Sequence, residues 1–336
     1  NLKALFSAPK SSPQHHITSI HCYHNTHSQK MKSRSVPVVP ATAFLAVGLL
    51  VASSSSSLYV SAFSTPIFTA TTPKRAPSKT VGVEIELPNF DELFHRIMHV
   101  SPLARQIVDR EEGGFEAIDD KTSPSDLKWK NTHSNPRNIV HRIDKIENFQ
   151  NLGCPILRFR ASMQGPCISN RFANFIMDLD ERKKWDPQIA NVENIYPIND
   201  LDAANIAIGS KYGDCTTLGV GYCATKPNLV SSSREQLTLC GIQDFTGGAS
   251  IIWGTEMEDR HNYLFPDGPR FERARSHLFS MVLMPTSSNS FDVEYILQMD
   301  CGGKIPTFLT TPVICETVKS MFNHAKKYFA GGEGSD

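Results

Sequence analysis

The first 83 residues of this 336-residue chain contain no aspartate or glutamate. Eight of the 34 lysines and arginines fall within that stretch, so the rest of the chain carries 26 basic residues against 34 acidic ones. Residues 84–336 therefore carry a net charge of about −8, and a protein of such charge is not attracted to phosphate backbones. We therefore expect no nucleic-acid partner.

Several chemical motifs are also missing. The eight cysteines include no C-x-x-C pair, which argues against a zinc site and a disulfide framework. The letters of Gly219–Ala224, "GVGYCA", match a dinucleotide-binding pattern, but Lys226 and Pro227 follow instead of a helix. No phosphate loop or nucleophile elbow is present. The sequence predicts no metal, no cofactor and no catalytic residue.

The apolar run Ala41–Ala52, "ATAFLAVGLLVA", has twelve residues, whereas a membrane-spanning helix needs roughly 20. Met31, Lys32 and Arg34 precede the run and Ser53–Ser57 follows it, as in a signal peptide. We assign residues 31–62 to a signal peptide and 1–30 to an upstream leader outside the mature protein. Residues 63–85 are rich in Ser, Thr and Pro and form a transit-like segment.

The signal peptide meets the transit-like segment at "VSAF", with small residues before Phe63. This junction resembles the bipartite presequence of algae whose plastids have a secondary red-algal origin. The resemblance implies that the protein works in a plastid. A secreted protein, or one of the endoplasmic reticulum lumen, is the alternative, and it would predict disulfides.

Residues 86–330 read as one α+β domain without an internal linker, followed by a disordered tail at 331–336. Amphipathic patterns predict a helix from Phe90 that is interrupted near Pro102, a helix opened by Ser169, and a long closing helix after Pro306. Strands are predicted at Trp129–Lys130, Ile139–Ile146 and Ile156–Met163, and then without a convincing helix at Val192–Tyr196, Lys211–Tyr222, Glu235–Gln243, Ser250–Glu256, Arg270–Met284 and Phe291–Met299. Such a series implies hairpins and an antiparallel sheet.

The segment "DLDERKKWDPQI" at Asp178–Ile189 sets one tryptophan among seven charges. The charges, Arg182 included, are predicted to form the solvated side of the helix. Pro187 biases Asp186 out of helical geometry, so the indole of Trp185 can fold under the last turn and close that end of the core.

Four features in this order resemble the START (steroidogenic acute regulatory protein-related lipid transfer) family. They are "FIMDLDERKKWDP" after the third strand, "SSSREQLTL" at Ser231–Leu239, "RARS" at Arg273–Ser276 and "QMDCGGKIP" at Gln298–Pro306. The resemblance implies a helix-grip fold, in which a curved antiparallel sheet wraps a long C-terminal helix and encloses a lipid tunnel. It further implies a monomer that binds a single phospholipid, galactolipid or sterol-like lipid and transfers it between membranes without catalysis, through transient contact with a membrane surface.

Two positions depart from the family pattern. The family's Arg-Asp pair in a middle strand is Arg234–Glu235 here. Several relatives carry an arginine inside the cavity six residues after the first one, where this chain has Cys240. A phosphate-bearing ligand would then need another cation, and Arg160 or Arg275 could serve if either points inward.

Alternation along the strands and the closing helix predicts the lipid-binding residues, each of which could equally be ordinary core. They are Phe159, Met163, Trp253, Tyr295, Leu297, Met299, Val313, Val318 and Phe322. The segment Ala224–Ser232, with Leu229 and Val230, resembles the loop that gates the family's tunnel, or is a plain hairpin loop. Two other functions stay open: a lipid-modifying enzyme using Glu256, His277 and Tyr295, and a lipid-sensing interaction module.

Overall fold

The computed structural model describes residues 20–22, 83–111, 127–164, 169–198, 201–228, 232–266, 270–303 and 305–331. The chain divides into two units, residues 1–22 with 84–336 and residues 23–83. The predicted signal peptide, nearly all of the leader and of the transit-like segment, and residues 332–336 of the tail lie outside the described residues, so these assignments stay predictions. In the described part of the chain, no helix is both long and apolar enough to span a bilayer.

Two short strands, β1 (Ile20–Cys22) and β2 (Val83–Ile85), come before the body of the fold. Helix α1 (Phe90–Val100) begins where the Asn89 side chain accepts a hydrogen bond from the Glu92 amide at 3.2 Å. It ends at Ser101, and helix α2 (Pro102–Glu111) follows directly. The predicted interruption near Pro102 is confirmed, because proline fits the first turn of a new helix but not the interior of an old one.

The remaining elements follow the predicted order, except that one predicted helix is divided into α3 and α4, the predicted strand Arg270–Met284 is divided into β10 and β11, and one helix is added. They are β3 (Lys130–Ser134), β4 (Val140–Ile146), β5 (Ile156–Gln164), α3 (Ser169–Met177), α4 (Leu179–Trp185), β6 (Ile189–Pro197), α5 (Leu201–Ile208), β7 (Asp214–Thr225), β8 (Arg234–Asp244), β9 (Ser250–Glu256), β10 (Glu272–Arg273), β11 (Arg275–Ser287), β12 (Ser290–Asp300) and α6 (Thr307–Gly331). The addition is α5. It lies where the sequence predicted no helix.

Nine strands pair in the order β3-β4-β5-β12-β11-β9-β8-β7-β6, and β10 pairs with β8. All neighbours are antiparallel except β10 and β8, which are parallel. The predicted antiparallel sheet is therefore confirmed, and the strands from β6 to β12 pair through consecutive hairpins, apart from the short β10. Its inner face, which carries Phe159, Leu283 and Tyr295, packs on Phe172 of α3 and Phe322 of α6 in one hydrophobic cluster.

The predicted helix after Ser169 is two helices, because Asp178 interrupts it. The Asp178 carboxylate accepts hydrogen bonds from the amides of Asp180 and Glu181 at 3.1 and 3.0 Å and so caps α4. At the other end of α4, the buried Trp185 stacks on Phe175 with ring centroids 5.1 Å apart. The tryptophan closes the core as predicted.

The outer face of the sheet carries buried charges beneath the corner between α1 and α2. Arg158 donates to Asp144 Oδ2 at 3.1 Å and to the Val100 carbonyl at 3.2 Å. Glu294 accepts from Ser101 Oγ at 2.7 Å and from the Leu103 amide at 3.3 Å, which places a carboxylate at the N-terminus of α2. Both helices are thus fixed to the sheet by charge-assisted hydrogen bonds.

The fully buried Asp144 predicts a loss of stability in acid. Burial by itself raises its pKa, but hydrogen bonds from Arg142 and Arg158 outweigh burial and leave the pKa below its ordinary value. A carboxyl group with a lowered folded-state pKa contributes stability above its unfolded pKa, about 3.9, and loses that contribution as the pH falls toward the folded value. Urea unfolding between pH 6 and 3 should show this loss for the wild type.

The matched variant for this test is Asp144→Asn, which keeps the shape of the side chain but cannot titrate. We expect it to be less stable than the wild type at pH 6, because Arg158 loses its charge partner. The difference between the two proteins should shrink below about pH 4. A constant difference across the whole pH range would contradict the assignment to Asp144.

Candidate functional site

A cavity of about 170 Å³ lies between the inner face of the sheet and α6. Its walls combine α4, strands from both halves of the sheet, and α6 as far as Met321. The wall consists of Arg182, Asp186, Gln188, Ile189, Cys223, Thr225, Lys226, Asn228, Arg234, Glu235, Gln236, Ala274, Tyr295, Leu297, Met299, Cys301, Thr310, Val313, Ile314, Thr317, Val318 and Met321.

The composition of this wall demonstrates that the sheet is curved. Cys223 belongs to β7 and Tyr295 to β12, and three strands separate β7 from β12 in the sheet. In a flat sheet the two strands would be about 19 Å apart, yet residues of both line one cavity. The sheet therefore bends around α6, and the predicted helix-grip architecture is confirmed.

Five of the nine predicted lipid-binding residues line the cavity: Tyr295, Leu297, Met299, Val313 and Val318. Three others, Phe159, Met163 and Phe322, are buried in the same hydrophobic cluster but do not line the cavity. The two predicted gating residues, Leu229 and Val230, lie outside the described residues.

The prediction that Trp253 lines the cavity is wrong. Successive strand residues point to opposite faces, and Ile252 belongs to the inner cluster, so Trp253 points outward. There its ring meets Phe90 of α1 edge to face, with centroids 5.2 Å apart. Its cross-strand partner is Gly241, where a Cβ atom would come within 2.6 Å of the indole. Glycine at 241 gives the tryptophan room to lie across β8.

Arg182 is a cavity-lining residue that the sequence did not predict, because the run of charges around it indicates the solvated side of a helix. The structure places it in the cavity wall. Its Nε lies 3.3 Å from Asp186 Oδ2, and its Nη2 lies 3.7 Å from the sulfur of Met321. Burial opposes the charged form, but the Asp186 carboxylate outweighs this and raises the pKa of Arg182. The i,i+4 spacing of Arg182 and Asp186 was the available signal.

The other polar groups near Arg182 are neutral at physiological pH. Burial raises the pKa of Tyr295 to about 12, that of the Cys223 thiol to about 11 and that of Cys240 to about 12. Among the described residues, nothing accepts a hydrogen bond from the Tyr295 hydroxyl or donates one to it, although the side chain is only 7% exposed. This region of the cavity therefore combines a guanidinium, its paired carboxylate and an unpartnered phenol.

Neither arginine that the sequence offered as a cavity cation points inward. Arg160 donates from Nε to Glu294 Oε1 at 2.9 Å on the outer face, and Arg275 binds the surface residue Asp259 at 3.0 Å. Cys240, where the START pattern has an arginine, does not line the cavity. The described wall instead contains two other arginines, Arg182 of α4 and Arg234 of β8.

The three residues considered for acid–base catalysis are not brought together. His277 Nδ1 lies 3.4 Å from Glu256 Oε1, but neither residue lines the cavity, whereas Tyr295 does. Within the ranges that the structure describes, no group of three His, Cys, Asp or Glu side chains could hold a metal ion.

Glu235 shows what the Arg234–Glu235 pair does in this chain. The almost fully buried carboxylate accepts hydrogen bonds from the amides of Arg270 and Phe271 at 2.8 and 3.2 Å, and from the Tyr222 hydroxyl at 3.2 Å. It therefore fixes the segment before β10 to β7 and β8. The pair stabilises the cavity wall.

A curved antiparallel sheet around a C-terminal helix, with a partly charged cavity between them, defines an α+β protein of the helix-grip architecture. The chain is similar to solved structures of human StAR-related lipid transfer protein 5 (14% identity, 70% of this chain and 96% of that one, TM-score 0.49), human STARD10 (17%, 60% and 74%, 0.45) and a STAR-related lipid transfer protein from Xanthomonas axonopodis (15%, 60% and 97%, 0.45). No protein-family model and no curated protein matches the sequence. At such identities the ligand has to be inferred from the residues of this chain.

Proposed function

We propose that this protein binds one lipid molecule in its internal cavity and transfers it between membranes without changing it. The observation that carries the proposal is that charged side chains, among them the Arg182–Asp186 pair, lie in the wall of a cavity whose surface is mostly apolar. An apolar wall favours hydrocarbon, since each buried methylene contributes about 0.8 kcal/mol, and a charged pair favours a polar head group. A molecule with both parts is an amphiphile.

The charge of Arg182 narrows the ligand class. A guanidinium forms its strongest hydrogen bonds with anionic oxygens such as those of a phosphate, and the Tyr295 hydroxyl supplies a further donor in the same cavity. A sterol-like lipid or a galactolipid offers no such oxygen. Of the three classes that the sequence left open, we therefore propose a phosphate-bearing lipid.

The size of the cavity requires the walls to move when the lipid enters. Its volume of about 170 Å³ is below the roughly 300–1,000 Å³ typical of small-molecule sites. An acyl chain can be accommodated only if α6 and the sheet separate. We propose that they separate at the start of α6.

The start of α6 also suits contact with a membrane. Phe308 is 72% exposed and Leu309 42% exposed; they directly precede the cavity-lining residue Thr310 and lie about one turn before Val313. Exposed apolar side chains beside a binding cavity are typical of an interaction surface. We propose that these two residues enter the bilayer surface while the lipid passes.

Native mass spectrometry and vesicle exchange test this function. The purified chain should be a monomer that retains one lipid, and it should move a labelled phospholipid between vesicles with its mass unchanged. A changed lipid mass would indicate an enzyme, and binding without faster exchange would indicate a sensor. Either of these results would overturn the carrier proposal.

We also propose that the protein works in a plastid. The proposal is supported by the acid-free N-terminus, the short apolar run and the "VSAF" junction at Phe63. A fluorescent protein fused after Asp336 of the whole chain should accumulate in plastids of a red-lineage alga. Fluorescence in the medium or the endoplasmic reticulum would overturn it.

A further inference from the structure

Arg234 connects two parts of the cavity wall that are not neighbours in the sheet. It is the first residue of β8, it lines the cavity, and it is only 8% exposed. Its Nη1 donates to the Ser232 hydroxyl at 2.7 Å and to the carbonyls of Ser232 and Ser233 at 3.1 and 3.3 Å. Its Nε donates to the carbonyl of Cys301, which follows the end of β12.

The bond to Cys301 closes a gap across the curved sheet. At this end of the sheet β9 has already ended, because its last pairing with β8 is Glu256 with Thr238. Only the segment from β10 to the first residue of β11 lies between β8 and β12, since Glu272 pairs with Arg234 and Arg275 with Asp300, so in a flat sheet β12 and β8 would be about 10 Å apart here. A single guanidinium spans this distance, and breaking its bonds would remove the direct link between the end of β12 and the start of β8.

The segment after Cys301 transmits this restraint to α6. Gly302 and Gly303 both have positive φ, 68° and 72°, and a Cβ atom on Gly302 would lie 2.3 Å from the Arg273 carbonyl oxygen of β10. This tight turn fits closely against β10, the short strand paired with β8. Helix α6 begins four residues later, and its residues Thr310 and Val313 line the cavity.

We propose that Arg234 is a positioning residue that sets the rate of lipid exchange by holding the start of α6 against β8. The inference rests on the proposed function, since it concerns the opening that a cavity of this size needs before a lipid can enter or leave. Arg234 acts on α6 through the Cys301 carbonyl and the glycine turn. It affects exchange in both directions, and so changes the release rate more than the affinity.

Stopped-flow release of a fluorescent phosphatidylcholine from the full chain to excess vesicles tests the proposal. Arg234→Gln should release the probe about tenfold faster or more, because it loses charge-assisted bonds on both sides of the gap. Arg234→Lys keeps the charge but not the planar fork of donors, so its release rate should lie between those of the wild type and Arg234→Gln. The matched control is Arg273→Gln, which removes an arginine of the adjacent strand that binds Asp259 and the Met257 carbonyl instead.

Amide hydrogen exchange without any lipid provides the second readout. Exchange over residues 301–313 should rise in Arg234→Gln and not in Arg273→Gln. Unchanged exchange there, unchanged release, or an equal effect of both variants would overturn the role of Arg234. If Arg234→Gln does not fold, the release rate and the amide hydrogen exchange of Arg234→Lys test the proposal instead. If the wild type binds no phospholipid, the proposed function fails, and hydrogen exchange alone decides whether Arg234 holds α6.

Discussion

Replacing Arg182 with glutamine is expected to weaken binding of a phosphate-bearing lipid about 30-fold or more. The substitution keeps a side chain of similar length but removes a positive charge that the cavity offers to a head group. Truncating one partner of a buried, hydrogen-bonded charge pair costs about 2 kcal/mol or more, and 1.4 kcal/mol is tenfold in affinity. Equilibrium titration of a fluorescent phosphatidylcholine measures the effect.

Two variants of the same helix separate a head-group role from general damage. Lys183→Gln removes the neighbouring charge from an exposed position and should bind like the wild type. Arg182→Gln/Asp186→Asn removes both charges, so that no buried carboxylate is left unpaired; it should recover stability but not phospholipid binding. Full binding by this double variant would show that Arg182 does not recognise the lipid.

Most of the fold could be predicted from the sequence, because apolar and polar residues alternate clearly in strands of which only one face meets the apolar core. In β12, Phe291, Val293, Tyr295 and Leu297 share the inner face as predicted. The closing helix likewise places Val318 and Phe322 on the buried side. These periodicities are local properties of the chain, so they can be recognised from the sequence alone.

Trp253 shows where such reading fails. Strand β9, "SIIWGTE", is buried on both faces over Ser250–Gly254, because α1 covers the outer face of the sheet. A strand that is apolar on both sides has no alternation of apolar and polar residues from which the face of each side chain can be predicted. Its facing is decided by register with β8 and β11, which depends on residues far away in the chain.

Arg182 was missed for a different reason. The run of charges from Asp178 to Lys184 suggested one solvated helix face, but Asp178 ends α3 and starts α4 as a new helix. The apolar stripe of α3 therefore does not fix which face of α4 is buried. Arg182 lies three residues after Leu179 and Asp186 four residues after Arg182, and both Arg182 and Asp186 line the cavity. An internal cap is hard to recognise within a continuous helical pattern.

Replacement of Arg158, on the outer face of the sheet, is expected to have the largest effect on stability. We expect Arg158→Met to lower the free energy of unfolding by about 3 kcal/mol, the lower end for breaking a buried ion pair, because Asp144 keeps the partly exposed Arg142 while the Val100 carbonyl loses its donor. Arg160→Met should cost less, since Glu294 keeps its bonds to Ser101 and Leu103 and Arg160 is partly exposed. Urea denaturation at pH 7 compares the two.

The double variant Arg158→Met/Asp144→Leu distinguishes an uncompensated charge from lost packing. Two apolar side chains of similar volume need no partner, and replacement of a whole buried ion pair is often neutral or stabilising. The double variant should therefore regain most of the stability that Arg158→Met loses. Trp129 complicates this slightly, because Arg158 also lies over its ring at 4.1 Å, and methionine retains only a weaker contact there. If the double variant were as unstable as Arg158→Met, the cost would come from packing under the α1–α2 corner and not from the buried carboxylate.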